Sequence, residues 1–223
     1  MFKKELWLPH DFTNHFYHGS IHNLVFLDLE FFPLYLKSQK VEQRIFGYTL
    51  TRLVEDPKQQ YIKIQLIENI PEEKPLIQEI FQDIKILENK VFIGFNIIHS
   101  DLYCLHKRAK ALKLKPTCQH PLVFDLYDPK QSRYRGGLNG LFEYLDINID
   151  KQINGMYIRR NAKRVFAQKP RASDILNTIY EYCLEDAKNY FHIISNWHYK
   201  FERVNSERFI HFQFKSKKRR RRR

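Results

Sequence analysis

From Leu24 onward the apolar residues change period in an order that few folds accept. Leu24–Leu29 carries a short apolar run at Val25, Phe26 and Leu27 and predicts a strand. Arg44–Val54 and Tyr61–Glu68 predict two more, the latter with Ile62, Ile64 and Leu66 alternating with Lys63, Gln65 and Ile67. The turn signal Glu55-Asp56-Pro57-Lys58 between them makes these two a hairpin. The period then becomes helical over Glu72–Asn89, where Leu76, Ile77, Ile80, Phe81, Ile84 and Leu87 fall on one face. A strand at Val91–Phe95, a helix at about Asp101–Leu114 stopped by Pro116, and a strand at Leu122–Leu126 follow. Shorter helices are expected at Leu138–Leu145 and around Met156–Phe166. A long helix is expected from Ser173, its candidate N-cap, to Trp197. Three strands with a hairpin, then alternating helix and strand, predict an α/β domain. Its mixed sheet has five strands, the first three antiparallel and the later ones parallel, flanked by helices.

The 223 residues and 43% hydrophobic content suffice for one such core. Residues 24–200 hold the expected domain, and residues 1–23 form a lead segment rich in aromatics and His with no assignable element. Residues 201–223 are an extension ending in a polybasic tail that cannot pack a core and is expected to be disordered. No apolar run approaches the roughly 20 residues of a membrane span. The charged start Met1–Pro9 lacks a signal-peptide apolar region, so secretion by that route is not expected. Three cysteines, Cys104, Cys118 and Cys183, form no Cys-x-x-Cys pair, which fits a reducing cytosol and not a disulfide scaffold. The expected location is cytoplasmic, with nucleoid or nuclear association through the tail as an alternative.

Four acids occupy unusual positions. Asp28 and Glu30 follow the first apolar run two residues apart, so on a strand they point to one face. Such a pair marks either a strand end emerging into solvent or a site where a cation sits between them. Asp101 follows the fourth strand and, with Ser100, is also a candidate helix cap; Asn96 before it is also a candidate loop residue. Asp186 lies inside the last helix, one turn after Tyr182 and beside a stripe of Ile175, Ile179, Cys183, Tyr190 and Ile193. Edge placement and metal binding both account for it. Taken together, the acids converge if the first and fourth strands are neighbours and the last helix crosses them. Four converging carboxylates without Lys or Arg among them call for two divalent cations, Mg²⁺ or Mn²⁺. Two such ions about 3.5–4 Å apart clamp the attacking and leaving oxygens of a phosphodiester.

Three segments resemble the motifs of the DEDD 3′→5′ exonucleases in their tyrosine version, a family with the ribonuclease H-like fold. Leu27-Asp28-Leu29-Glu30 is similar to the first, Gly94-Phe95-Asn96 through Asp101 to the second, and Tyr182-Cys183-Leu184-Glu185-Asp186-Ala187 to the third. The four residues between Asn96 and Asp101, and the Tyr-Cys-x-x-Asp-Ala form, most resemble the proofreading domains of B-family DNA polymerases and related standalone proteins. Phe31-Phe32-Pro33 depart from the Thr and small residue usual after the first motif. The chain is also too short to carry a polymerase domain. The resemblance implies that Asp28, Glu30, Asp101 and Asp186 bind two ions, with Asp28 bridging. Tyr182 orients the attacking water, and Asn96 contacts substrate or supports the site. The implied substrate is the 3′ end of single-stranded DNA or RNA, releasing 5′-mononucleotides, with no small-molecule organic cofactor. A non-catalytic nucleic-acid-binding module on the same scaffold, a structure-selective endonuclease, and an interaction protein with coincidental acids are the alternatives.

Charge is consistent with a polyanionic partner. Without the eight Lys and Arg of Lys215–Arg223, the net charge falls from +13 to +5. Lys151–Ser173 contains no acid but holds Arg159, Arg160, Lys163 and Arg164 on a predicted helix, a candidate phosphate-binding face or a solvated one. Tyr157 and Phe166 are rings that a base could stack on. Arg133 and Arg135 lie in a basic loop before Gly136-Gly137 and are further candidates, or part of a turn.

Overall fold

The computed structural model describes residues 1–35, 41–118, 120–127, 136–149 and 153–214. Its elements in chain order are β1 (Phe2–Pro9), β2 (Leu24–Tyr35), β3 (Val41–Val54), β4 (Gln59–Leu66), α1 (Glu73–Ile86), β5 (Val91–Gly94), α2 (Tyr103–Ala111), β6 (Leu122–Asp125), α3 (Gly137–Tyr144), α4 (Gly155–Phe166), α5 (Ala172–Asn196) and β7 (Ile210–His211). One sheet runs in the order β1-β4-β3-β2-β5-β6-β7. Its central five strands are those expected. β2, β3 and β4 are antiparallel neighbours, and β2, β5 and β6 are parallel.

Two strands were not legible in the sequence. β1 adds antiparallel to β4, from the Phe2–Leu66 pair to the Pro9–Gln59 pair. Phe2, Leu6 and Leu8 face the core, and exposed Lys3, Lys4 and Glu5 interrupt the apolar alternation. Charge of this kind is typical of an edge strand, where it discourages further pairing. β7 adds only two residues beside β6.

The acids of β2 do not lie at a strand end. β2 continues to Tyr35, so Asp28 and Glu30 sit in its middle. Even-numbered residues of β2 face α4 and α5: Phe26 stacks on Tyr190 at 5.0 Å and Phe32 meets Phe166 at 4.8 Å. Asp28 and Glu30 share that covered face. Glu30 is opposite Gly47, and Phe31 is opposite Ile45, which leaves Phe46 as a bulge in β3.

The predicted helix at Asp101–Leu114 begins differently. Ile98–Leu102 form a wide turn closed by Leu102 N–H donating to the Ile97 carbonyl at 2.9 Å, and α2 starts only at Tyr103. Such five-residue turns occur often at functional sites. On the opposite face of the sheet, α2 is clamped to α1 by Arg108. Its Nε and Nη2 donate to the two Glu73 oxygens at 2.8 and 2.7 Å, and it also pairs with Glu42. Ser173 is not the cap of α5: Arg171 holds that position with φ 71°, and Ser173 lies in the first turn. A turn closed by Ala172 N–H on the Lys169 carbonyl starts the helix early. Among the described residues no helix is long and apolar enough to cross a membrane.

Candidate active site

β2 and α5 run antiparallel across the site. Cys183 Sγ lies 3.8 Å from Glu30 Oε1, and Tyr190 O–H donates to Asp28 Oδ2 at 2.9 Å. Asp186 lies between Cys183 and Tyr190 on the same face of α5, one turn from each. It is 1% exposed, within the buried stripe and not at its edge. Tyr182 falls on the same side and is partly buried against the core.

Asp101 arrives from the other direction. β5 pairs with β2 only through Phe26, because it ends at Gly94. Beyond that point Leu29 N–H donates to Asp101 Oδ1 at 2.7 Å. The carboxylate thus takes the place of the missing strand and does not cap a helix. Gly94 is needed for this approach: a Cβ there would lie 2.7 Å from the Leu27 carbonyl oxygen and 2.9 Å from Ile97 Cβ.

The electrostatics tie these groups together. Burial, and then the charges of Asp28 and Glu30, push the Asp101 carboxyl well above its ordinary range, against the Leu29 hydrogen bond. Burial, and then Glu30, Asp186 and Asp28, push the Tyr182 phenol up. Burial, and then Asp28, Asp186 and Tyr182, do the same to Tyr190. Cys183 is raised by burial, Glu30, Asp28 and Asp186. Acids that raise one another's pKa in a buried place are stabilised by positive charge between them. Oxygen donors of this kind suit hard divalent ions. By donor chemistry the residues fit such ions. As they lie, no three His, Cys, Asp or Glu side chains among the described residues stand close enough to hold one ion.

A family model described as RNase_H superfamily matches residues 25–198. The chain belongs to the RNase H superfamily. No curated protein matches it. The match runs from β2 to the end of α5 and so contains all five residues of the cluster. RNase H superfamily membership points to nucleic acid as the substrate, phosphodiester hydrolysis as the chemistry and divalent metal ions as the usual cofactor.

The remaining candidates divide. Asn96 follows β5 with φ 57°, a left-handed conformation that Asn tolerates better than most residues. Its carbonyl accepts Ser100 N–H at 2.9 Å, so it turns the chain towards Asp101. Arg159, Arg160, Lys163 and Arg164 occupy the exposed face of α4, whose other face buries Ile158, Ala162 and Val165. Phe166 is packed against Phe32 and Phe46 at 4.8 and 5.7 Å, and its ring belongs to the core instead of a base-stacking surface. Arg133, Arg135 and the tail Lys215–Arg223 lie outside the described residues.

Two residues with a part in the site were missed as such. Tyr190 read only as part of the buried stripe, although its place one turn after Asp186 was the available signal. Asp125 ends β6 and accepts Ile98 N–H at 3.1 Å and Tyr127 N–H at 2.9 Å. It holds the turn that carries Asp101. No local pattern marks that role, because its partners come from another strand's loop.

Proposed function

We propose that the protein is a metal-dependent 3′→5′ exonuclease acting on single-stranded DNA or RNA. The observation that carries this reading is that Asp28 and Glu30 on β2 act on Asp101 beside β5, and with Asp186 on Tyr182 of α5, while Glu30, Asp101 and Asp186 are buried. Asp28, Glu30, Asp101 and Asp186 would hold two Mg²⁺ or Mn²⁺ ions, and the reading requires their side chains to close on them. The ions would supply water activation and neutralise charge at the scissile phosphate.

The chain's own groups have separable tasks. Burial and the neighbouring carboxylates push the Tyr182 phenol up, so in the metal-free protein it keeps its proton, and it would orient the attacking water by hydrogen bonding. Tyr190 O–H fixes one oxygen of Asp28, and Leu29 N–H fixes one oxygen of Asp101, so two carboxylates are oriented in advance. α4 packs beside the site through its inward side, where Phe166 touches Phe32, two residues past Glu30, and its outward side carries the basic residues. It would engage the phosphates of the bound strand.

The test follows 5′-labelled single-stranded DNA and the matching RNA with Mn²⁺ or Mg²⁺. A ladder shortening from the 3′ end, absent with EDTA and in Asp28→Ala, is the expected result. Cleavage that continues when the 3′ end is blocked would indicate an endonuclease. Intact substrate with tight, salt-sensitive binding would indicate a binding module.

A further inference from the structure

The lead and trailing segments, on either side of the superfamily match, are joined to one another. Tyr17 bridges Val204 in parallel, and Val204 N–H donates to the Phe16 carbonyl at 2.6 Å. Phe16 packs edge-on against Phe124 and Trp197 at 5.0 and 4.9 Å. Beside this junction lies a groove of about 780 Å³. Trp197 and Phe201, stacked at 4.3 Å, are part of its lining, and Trp197 Nε1 donates to the Glu202 carbonyl at 2.8 Å.

The lining is cationic. His198, Lys200, Arg203 and Arg208 face one acidic lining residue, Glu202. Lys200 already meets Asp146 at 3.3 Å, and the Arg208 guanidinium lies over Phe124 at 5.4 Å. His15 lies tilted against His198 at 4.1 Å, and Arg203 Nη1 donates to His18 Nδ1 at 3.5 Å. His198 Nδ1 meets the Ser195 carbonyl at 3.1 Å, which assigns that nitrogen the proton. Tyr199 is 65% exposed and pairs with the His198 ring at 4.0 Å. Lys200, Arg203 and Arg208 around the single lining carboxylate Glu202 leave the groove net positive, and a net positive groove attracts an anion. An exposed ring beside phosphate-binding groups is the combination that grips a single strand.

We infer that this groove binds the phosphate groups of a single-stranded nucleic acid, with Tyr199 stacking on a base, as a second contact remote from the carboxylates. Trp197 lies eleven residues past Asp186 along the continuing helix, about 16 Å at the rise of an α-helix. A long strand reaches both places and a short one does not. This inference is independent of whether the carboxylates cleave.

The full chain is titrated, in EDTA, with a fluorescent long oligonucleotide, and affinity is followed against salt. Arg203→Glu is expected to weaken binding about tenfold at low salt and to make the salt slope shallower by about one. Arg203→Lys is expected to restore both. Tyr199→Ala, on an exposed side chain, is expected to weaken binding about fivefold without moving the melting curve. Unchanged affinity in Tyr199→Ala and in a folded Arg203→Glu would overturn the inference. NMR signals of the His15 and His198 rings that respond to inorganic phosphate but not to the oligonucleotide would overturn it too, in favour of a small-phosphate site. Failure of the nuclease reading would show separately, as intact substrate with Mn²⁺ while this binding persists.

Discussion

At the scale of single residues, burying Asp101 beside Asp28 and Glu30 costs the metal-free fold stability. Asp101 is harder to ionise in the fold than in the unfolded chain, whose carboxyl keeps its ordinary value near 3.8. The metal-free fold therefore loses stability as pH rises above that value and regains it as the pH falls back. Asp101→Asn keeps an oxygen for Leu29 N–H and removes the charge. Thermal melts in EDTA at neutral pH are expected to show the variant more stable than wild type, with the gain vanishing below about pH 4. Added Mn²⁺ is expected to raise the wild-type melting temperature and leave the variant's nearly unmoved, and the variant is expected to be inactive. Tyr190→Phe removes only the donor to Asp28 Oδ2. It is expected to cost about 10–100-fold in metal affinity or activity, read from Mn²⁺ titrations of the rate, with little change in the circular dichroism spectrum.

At the scale of elements, the site depends on where β5 stops. Gly94 lets β5 end against the Leu27 carbonyl, and the next turn delivers Asp101 to Leu29. Gly94→Ala forces these backbones apart. A loss of about 1–3 kcal/mol in urea unfolding is expected. The loss of cleavage should exceed what that instability explains, because Asp101 moves with the strand end. α4 is a second case. Its inward face holds it on β2 and α5, while Arg159 and Arg160 stay exposed. The double change Arg159→Glu, Arg160→Glu is expected to leave melting within about 0.5 kcal/mol of wild type. Oligonucleotide binding should weaken, with a salt slope shallower by about one for each phosphate that α4 no longer neutralises.

At the scale of the whole molecule, an acidic limb of stability is expected from a junction of β1, β4 and α1. Burial pushes the Glu79 carboxyl up, but Lys63, Gln65 and Lys3 at 2.8, 2.9 and 3.0 Å outweigh it and bring it down to about 2. A depressed carboxyl contributes stability above its unfolded value of 4.5 that is lost as pH falls towards 2. Melting temperature plotted against pH should fall through that window, and Glu79→Gln should flatten the fall. Lys3 supplies one arm of this junction, so β1 takes part in stability as well as in covering the β4 edge.

The order of periods along the chain determined the central five strands and their directions, because alternation and helical spacing are local properties of neighbouring residues. The odd placement of Asp28, Glu30, Asp101 and Asp186 was visible for the same reason: each is an acid within a few residues of an apolar segment. What lay beyond local pattern was decided by contact between distant segments. β1 exists because Phe2–Pro9 found the open edge of β4, and its own charged sequence does not demand a strand. Asp101 serves Leu29 because β5 stops short of it, and Tyr190 holds Asp28 because α5 lies antiparallel to β2. The segment that lines the groove at Arg203 is tied to the lead segment where Tyr17 meets Val204, a contact between residues far apart in sequence. Burial and electrostatic fields sum over everything nearby in space, so only the tertiary structure pushes the Asp101 carboxyl up and sets Asp28 against Tyr190 and Asp101 against Leu29.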